Sequence, residues 1–381
     1  MPLRVAIPKE ITPGERRVAL VPTVAERFAR LGAKVVIEAG AAAGVHYPDT
    51  AYAGAEVVTD PAALYAAADV VLKVQPPTVE EIALMSEGVV LVGFLQPHRD
   101  PERVALLRDR RITSFAVELI PRISRAQSMD ALSSQAAVAG YKAALLAANL
   151  SGRFFPMLTT AAGTIRPARV LVLGAGVAGL QAIATARRLG AIVEAYDVRR
   201  ATKEQVQSLG AKFLEIPVDA EAAGGYAREL TAEEKQQEQA MVARAVAEAD
   251  AVITTAAVPG RPAPRLISAE MVAAMKPGAV IVDLAAETGG NCELTRPGEE
   301  ITAHGVTIAG PLNVPSMMAE HASEMYARNL LAFLTPQIHD GRLELDWNDE
   351  VIAGAALTHA GQILHAPTRQ LVEGGDKHND D

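Results

Sequence analysis

Residues 168–200 read ARVLVLGAGVAGLQAIATARRLGAIVEAYDVRR, and the order of that stretch decides the fold. Val170 to Leu173 is a short apolar run with the β-branched content of a buried parallel strand. Gly174, Ala175, Gly176, Val177, Ala178 and Gly179 follow at once, and an alanine-rich stretch of helical composition then runs to Gly190. A second apolar strand, Ala191 to Tyr196, finishes on Asp197, 18 residues beyond Gly179. Strand, glycine loop, helix, strand and terminal acid together make a dinucleotide-binding βαβ unit. In such a unit Gly174 allows the tight turn, Gly176 lets the backbone approach a pyrophosphate, and Gly179 lets the helix pack closely on the strand. Free N–H groups at the helix start face the phosphate charge. A carboxylate at position 197 suits the ribose hydroxyls of NAD(H) and repels a 2′-phosphate, while Arg199 and Arg200 beside it temper that preference. The candidate contacts here are therefore Gly174, Gly176, Val177 and Gly179 in the loop, with Asp197, Val198 and Arg199 at the strand end.

A chain of 381 residues points to two domains. Half of the residues are hydrophobic and 21% are charged, as in a well-buried globular protein. The net charge of −9 argues against nucleic acid or an anionic membrane surface as a direct partner. Cys292 is the single cysteine, so no intramolecular disulfide can form, and a reducing compartment fits. Met1-Pro2-Leu3-Arg4 leads into a strand with no signal-peptide pattern, and no apolar stretch is long enough to span a bilayer. These features predict a soluble cytoplasmic protein.

The first third alternates strand and helix. Arg4 to Ile7, Lys34 to Ala39, Asp69 to Val74, Val89 to Leu95 and Ile112 to Val117 are β-branched apolar runs, with helical patterns such as Thr23 to Leu31 and Pro101 to Asp109 among them. That alternation implies a parallel sheet covered on both faces. No glycine fingerprint occurs in this part, so it is expected to shape a cleft rather than to bind the dinucleotide. A helix over Ser134 to Asn149 crosses into the second domain. Further strands are expected at Lys212 to Ile216, Ala251 to Thr254, Ala279 to Asp283 and Val306 to Ile308. Helix Ser316 to Leu334 then brings the chain back. The expected architecture is α/β, with two Rossmann-like parallel-sheet domains joined by long helices and a cleft between them. Its domains are residues 1–133 plus 330–381, and 134–329.

Several stretches could carry chemistry. In Pro121 to Ser133, a helix beginning near Ser124 places Gln127, Asp130 and Ser133 at i, i+3 and i+6, within an arc of roughly 120°, with Arg122 in the preceding loop. The same residues also fit a capped helix start, with Ser124 as N-cap and Gln127 in capping-box spacing. An amide, a carboxylate, a hydroxyl and a guanidinium suit a carboxamide-bearing ring. Ala223 to Glu229 carries Gly225 and Tyr226 in a long connection, and reads either as a lid or as an exposed loop. Thr254 to Gly260 ends a strand on the side where nucleotides lie, and reads either as a contact for adenosine or ribose, with Thr255 and Ala257 as candidates, or as an ordinary strand-to-loop exit. His98 reads as structural, and no Cys/His spacing suggests a metal.

Ile7-Pro8-Lys9-Glu10 and Glu15-Arg16-Arg17-Val18-Ala19-Leu20-Val21-Pro22 resemble the opening of the alanine dehydrogenase and proton-translocating transhydrogenase superfamily. Arg125-Ala126-Gln127-Ser128-Met129-Asp130-Ala131-Leu132-Ser133-Ser134-Gln135 is more specific, and resembles the NAD(H)-binding alpha component of the transhydrogenase branch. The glycine lid with its tyrosine and the run Ala309 to Ser316 extend the likeness over essentially the whole chain. The dehydrogenase branch handles a 2-oxo acid with a lysine and a histidine. Their places are held by Gln75 and Gln96, whereas the carboxylate-binding arginine matches Arg17. Two neutral amides would leave amino-acid oxidation without its acid and base. Hydride transfer between two nicotinamides needs neither. It needs the rings held at roughly 3–3.5 Å with water kept out.

The resemblance implies that Gln127, Asp130, Ser133 and Arg122 position the nicotinamide end, and that Arg125 neutralises pyrophosphate or holds the loop. It implies that Tyr226 closes over NAD(H) and that Asp197 takes the adenosine ribose. It further implies NADP(H) on a partner subunit, proton translocation in membrane-embedded subunits, peripheral attachment to the cell membrane through them, and a homodimer. The activity expected is Re/Si-specific transhydrogenation, only in company with the partners. The competing readings are an NAD-dependent alanine dehydrogenase and a non-catalytic NAD(H)-sensing module.

Overall fold

The computed structural model describes residues 2–215, 231–257 and 261–374. They form two compact units, Met1–Gln135 with Pro315–Asp381, and Ala136–Val314. The first unit holds strands β1 (Arg4–Ile7), β2 (Lys34–Glu38), β3 (Glu56–Val58), β4 (Val70–Leu72), β5 (Val90–Gly93) and β6 (Thr113–Ala116). The second holds β7 (Arg169–Leu173), β8 (Ile192–Tyr196), β9 (Lys212–Phe213), β10 (Ala251–Thr254), β11 (Val280–Asp283), β12 (Glu300–Ala303) and β13 (Val306–Ala309). The chain then returns to the first unit and adds β14 (Ala356–His359) and β15 (Gln362–Ile363).

The first sheet runs β15-β14-β6-β5-β4-β1-β2-β3, and β1 to β6 are parallel. Its central strands are buried because apolar side chains alternate to both faces. Val5 and Ile7 enter one core with Phe28, Val35 and Ile37, while Ala6 and Val36 enter the other with Leu64, Tyr65 and Val71. The antiparallel strand β14, between β6 and the edge strand β15, escapes the apolar pattern. It is short, and its buried Thr358 hydroxyl lies 2.6 Å from that of Ser114 on β6.

The second sheet runs β9-β8-β7-β10-β11-β13-β12, parallel apart from the β12–β13 pair. Val170 and Val172 face one core, and Leu171 and Leu173 face the other. Strand order reverses at β7, whose neighbours are β8 on one side and β10 on the other. Ligand crevices in open α/β sheets form at the carboxyl ends of strands at such a point. Here those ends carry the glycine loop after β7 and Thr255 to Ala257 after β10.

Two helices matter for the site. Helix α1 (Ala131–Leu150) is three residues longer at its start than the Ser134 to Asn149 pattern, and α2 (Val177–Arg188) follows the glycine loop. A third, α3 (Ala319–Leu334), corrects the expected boundary at residue 330. It buries Tyr326, Ala327, Leu330 and Phe333 in the first unit's core, so that unit resumes at Pro315. The sequence pattern also missed the hairpin Leu158–Thr160 and Gly163–Ile165, whose residues are mostly exposed and carry no buried face to read.

Candidate functional site

The glycine loop is shaped by contacts that admit no side chain. Gly174 has a φ of +99°, and its N–H donates to the Tyr196 carbonyl at 2.8 Å. A Cβ at Gly179 would lie 1.9 Å from the Gly174 carbonyl oxygen. Around Gly176, by contrast, the space is open: the nearest heavy atom to a Cβ there would be Arg199 Nη2, at 3.8 Å. Gly176 is the N-cap of α2 and offers no side-chain cap, so the first turn's N–H groups stay directed at whatever approaches the loop. Val177 and Val198 are both exposed beside it. These are the features of a cradle that fits a dinucleotide pyrophosphate.

Asp197 closes the loop from the β8 side. Its Oδ2 accepts from the Ala175 N–H at 2.7 Å, and its Oδ1 accepts from the Arg199 N–H at 2.8 Å and from Nε at 3.0 Å. Burial alone would raise its pKa. The Arg199 guanidinium and the two backbone N–H groups outweigh that and hold it below its ordinary value. Thr255 donates its hydroxyl to the Gly174 carbonyl at 3.1 Å, so it braces the loop. Ala257 is exposed. Gly225 and Tyr226 lie outside the described residues.

Three residues here escaped the sequence reading. Fully buried Asn291 accepts from the Ala256 N–H at 3.0 Å and donates to the carbonyls of Ala256 and Pro264, both at 2.8 Å, which fixes the exit of β10. Asp283 is fully buried and accepts from Thr254, Ala285, Cys292 and Thr295. Gly140 lets α1 approach α2 so closely that a Cβ would meet the Ala178 carbonyl at 2.0 Å. Gly289 and Gly290 near Asn291 mark the turn in the sequence, but no spacing singles out Asn291.

In the first unit, residues 122–133 are not one helix. Ser124–Met129 is a 3-10 segment with Ile123 at its N-cap and no side-chain cap, and α1 begins only after Asp130. Asp130, not Ser124, does the capping: its carboxylate accepts from the Ser133 N–H at 2.8 Å and from the Ser133 hydroxyl at 2.6 Å. The expected α-helical arc of Gln127, Asp130 and Ser133 is corrected accordingly. A 3-10 turn followed by a break brings Asp130 and Ser133 into contact and leaves Gln127 and Arg122 exposed. Arg125 pairs with Asp349 and Glu350, so its charge anchors the segment. Asn329 of α3 donates to the Ser128 carbonyl at 2.8 Å and accepts from the Ser134 hydroxyl at 2.7 Å, stitching the segment to α1.

The same unit holds a largely buried polar cluster. Arg17 donates to both oxygens of Glu15 and to Gln135 Oε1 at 2.9 Å. Gln75 donates to Glu15 Oε2 at 2.7 Å. Burial pushes the Glu15 carboxyl up, but Arg17 and Gln75 outweigh it and bring it down to about 2. Lys73 is buried between Glu81, at 2.7 Å, and Glu10, at 3.4 Å. Gln96 sits in the left-handed region, with a φ of +49°, held by its N–H donating to Glu118 at 2.5 Å. Neither Gln75 nor Gln96 can exchange a proton near neutral pH.

No group of three or more metal-ligating side chains comes together, and no helix is long and apolar enough to cross a membrane, among the described residues. Residues 6–139 match the alanine dehydrogenase/PNT N-terminal domain, and residues 143–366 match the C-terminal domain. The chain is 50% identical over 376 residues to the first part of NAD(P) transhydrogenase subunit alpha of Rhodospirillum rubrum, covering 95% of this chain and 98% of that one. A solved transhydrogenase structure from Sinorhizobium meliloti superposes with a TM-score of 0.86 at 48% identity, over 94% of this chain and 99% of that one. The likeness to alanine dehydrogenase of Bacillus subtilis is more distant, at 32% over 306 residues, 79% of this chain and 74% of that one. The chain belongs to the alanine dehydrogenase/PNT family and stands with its NAD(P) transhydrogenase alpha subunits.

Proposed function

We propose that this chain is the NAD(H)-binding alpha component of a proton-translocating transhydrogenase. It passes hydride to or from NADP(H) held on a partner subunit. The bound nicotinamide supplies or accepts the hydride, and NADH plus NADP⁺ gives NAD⁺ plus NADPH with no net substrate proton. The chain's own groups have positioning work to do. The glycine loop and the start of α2 take the pyrophosphate, and Asp197 takes the adenosine ribose. Val177 and Val198 offer apolar surface to the nucleoside. Gln127 on the 3-10 segment and Arg122 in the loop before it, both exposed, are assigned to the carboxamide end, and Asp130 and Ser133 to the ring's orientation.

The observation that carries this reading is the pair Gln75 and Gln96. The positions where the dehydrogenase branch needs ionisable groups hold neutral amides, and Gln75 is spent on Glu15. The pure chain, given L-alanine and NAD⁺, is therefore expected to form no NADH while still binding the nucleotide. Steady NADH formation would overturn the reading.

The partners follow from the same reading. Membrane-embedded subunits supply the NADP(H) site and the proton path, and this chain docks peripherally on them at the cytoplasmic face. A homodimer is supported by the hairpin at residues 158–165. A two-stranded hairpin is marginal alone in water, and Phe154, Met157 and Ile165 on or beside it are at least half exposed.

A further inference from the structure

The acid that is to receive the ribose is already engaged. Asp197 Oδ1 accepts from the N–H and Nε of Arg199, and Oδ2 accepts from the Ala175 N–H at 2.7 Å and from Arg199 Nη2 at 3.0 Å. The Asp197 side chain is 5% exposed and that of Arg199 is 62% exposed, so the guanidinium covers the carboxylate on its solvent side. The same Nη2 is the nearest heavy atom to the open face of Gly176. Arg199 thus stands over both features that a dinucleotide uses on this loop, the acid and the phosphate approach.

A carboxylate at this position works in two ways: it accepts from ribose hydroxyls, and its charge repels a 2′-phosphate. A guanidinium on the same two oxygens opposes both, by competing for their lone pairs and by neutralising the charge. We infer that Arg199 tunes nucleotide preference through Asp197, weakening NAD(H) binding and softening the rejection of NADP(H). This rests on the reading of residues 174–199 as the NAD(H) site. The competition is modest, because an exposed arginine is readily taken up by water when it leaves.

The test is fluorescence titration of NADH and NADPH with the full chain and its variants. Arg199→Gln keeps polar reach but removes the charge. It is expected to tighten NADH about two- to fivefold, the range of a displaced exposed ion pair, and to weaken NADPH on the order of fivefold at low salt. The NADPH change shrinks at high salt, since it is a charge effect. Arg199→Lys, which keeps the charge without the planar fork, should leave NADPH near wild type. In an Asp197→Asn background, Arg199→Gln should no longer alter the NADPH-to-NADH ratio. Weakening of both nucleotides together would mean a merely structural arginine, and would overturn the inference. A ratio change that persists in Asp197→Asn would mean direct phosphate binding, and would overturn it equally. If wild type and Asp197→Asn bind NADH alike, the reading of the site itself fails, which is a separate result.

Discussion

At Gly179 one methyl group separates a working loop from a broken one. Its Cβ would fall 1.9 Å from the Gly174 oxygen, so Gly179→Ala must force β7 and α2 apart. That overpacking costs about 1–3 kcal/mol, and NADH affinity should fall at least tenfold in a fluorescence titration. Unchanged affinity would remove this loop from the binding site. Glu15 makes a prediction with a pH sign. Its carboxyl lies at about 2 in the folded chain against 4.5 ordinarily, so its contribution is present at neutral pH and is lost as pH falls from about 4.5 through 2. Breaking such a buried pair costs about 3–5 kcal/mol, so Glu15→Gln should lower Tm clearly at pH 7. The gap to wild type should then close toward pH 2. A gap of equal size at both ends would contradict the assignment. At this scale the glycine loop and the place of Asp197 at its strand end were legible because both follow from backbone geometry at fixed spacing. Asn291 and Gly140 were not, since their partners lie across the fold.

The break between the 3-10 segment and α1 turns Asp130 into a helix cap, which separates two roles for it. Asp130→Asn keeps a capping side chain and should leave Tm nearly unchanged, whereas Asp130→Ala should cost about 1 kcal/mol. If Asp130 also orients the nicotinamide, as proposed, both variants should slow hydride transfer in the assembled enzyme. A defect confined to Asp130→Ala would reduce the residue to a cap. The hairpin at 158–165 makes a second prediction at this scale. Replacing it with a short Gly-Ser turn should give a monomer in sedimentation while NADH still binds, and a dimer that survives would place the contact elsewhere. Elements with long β-branched runs, such as β1, β7 and β10, could be read from sequence because burial on both faces leaves a continuous apolar signal. β14, the hairpin and the broken helix at Asp130 could not. β14 is only Ala356 to His359, with Thr358 and His359 in place of a β-branched apolar run, and a 3-10 segment shares its composition with an α-helix.

For the molecule as a whole, the account makes this chain one half of a reaction. As proposed, it holds one nucleotide and the groups that aim it, and leaves the second nucleotide and the proton path to other subunits. The fold class could be read early because strand–helix alternation leaves few alternatives. The boundary near residue 315 could not, because α3 shows only that it has a buried face and not which core buries it. The most direct test is NADP⁺ reduction by NADH, measured with the pure chain alone and then with membranes carrying the cognate partner subunits. The account predicts NADPH formation only in the mixture. NADPH formation by the chain alone would contradict it, and so would an inert mixture in which the chain has bound both NADH and the membranes.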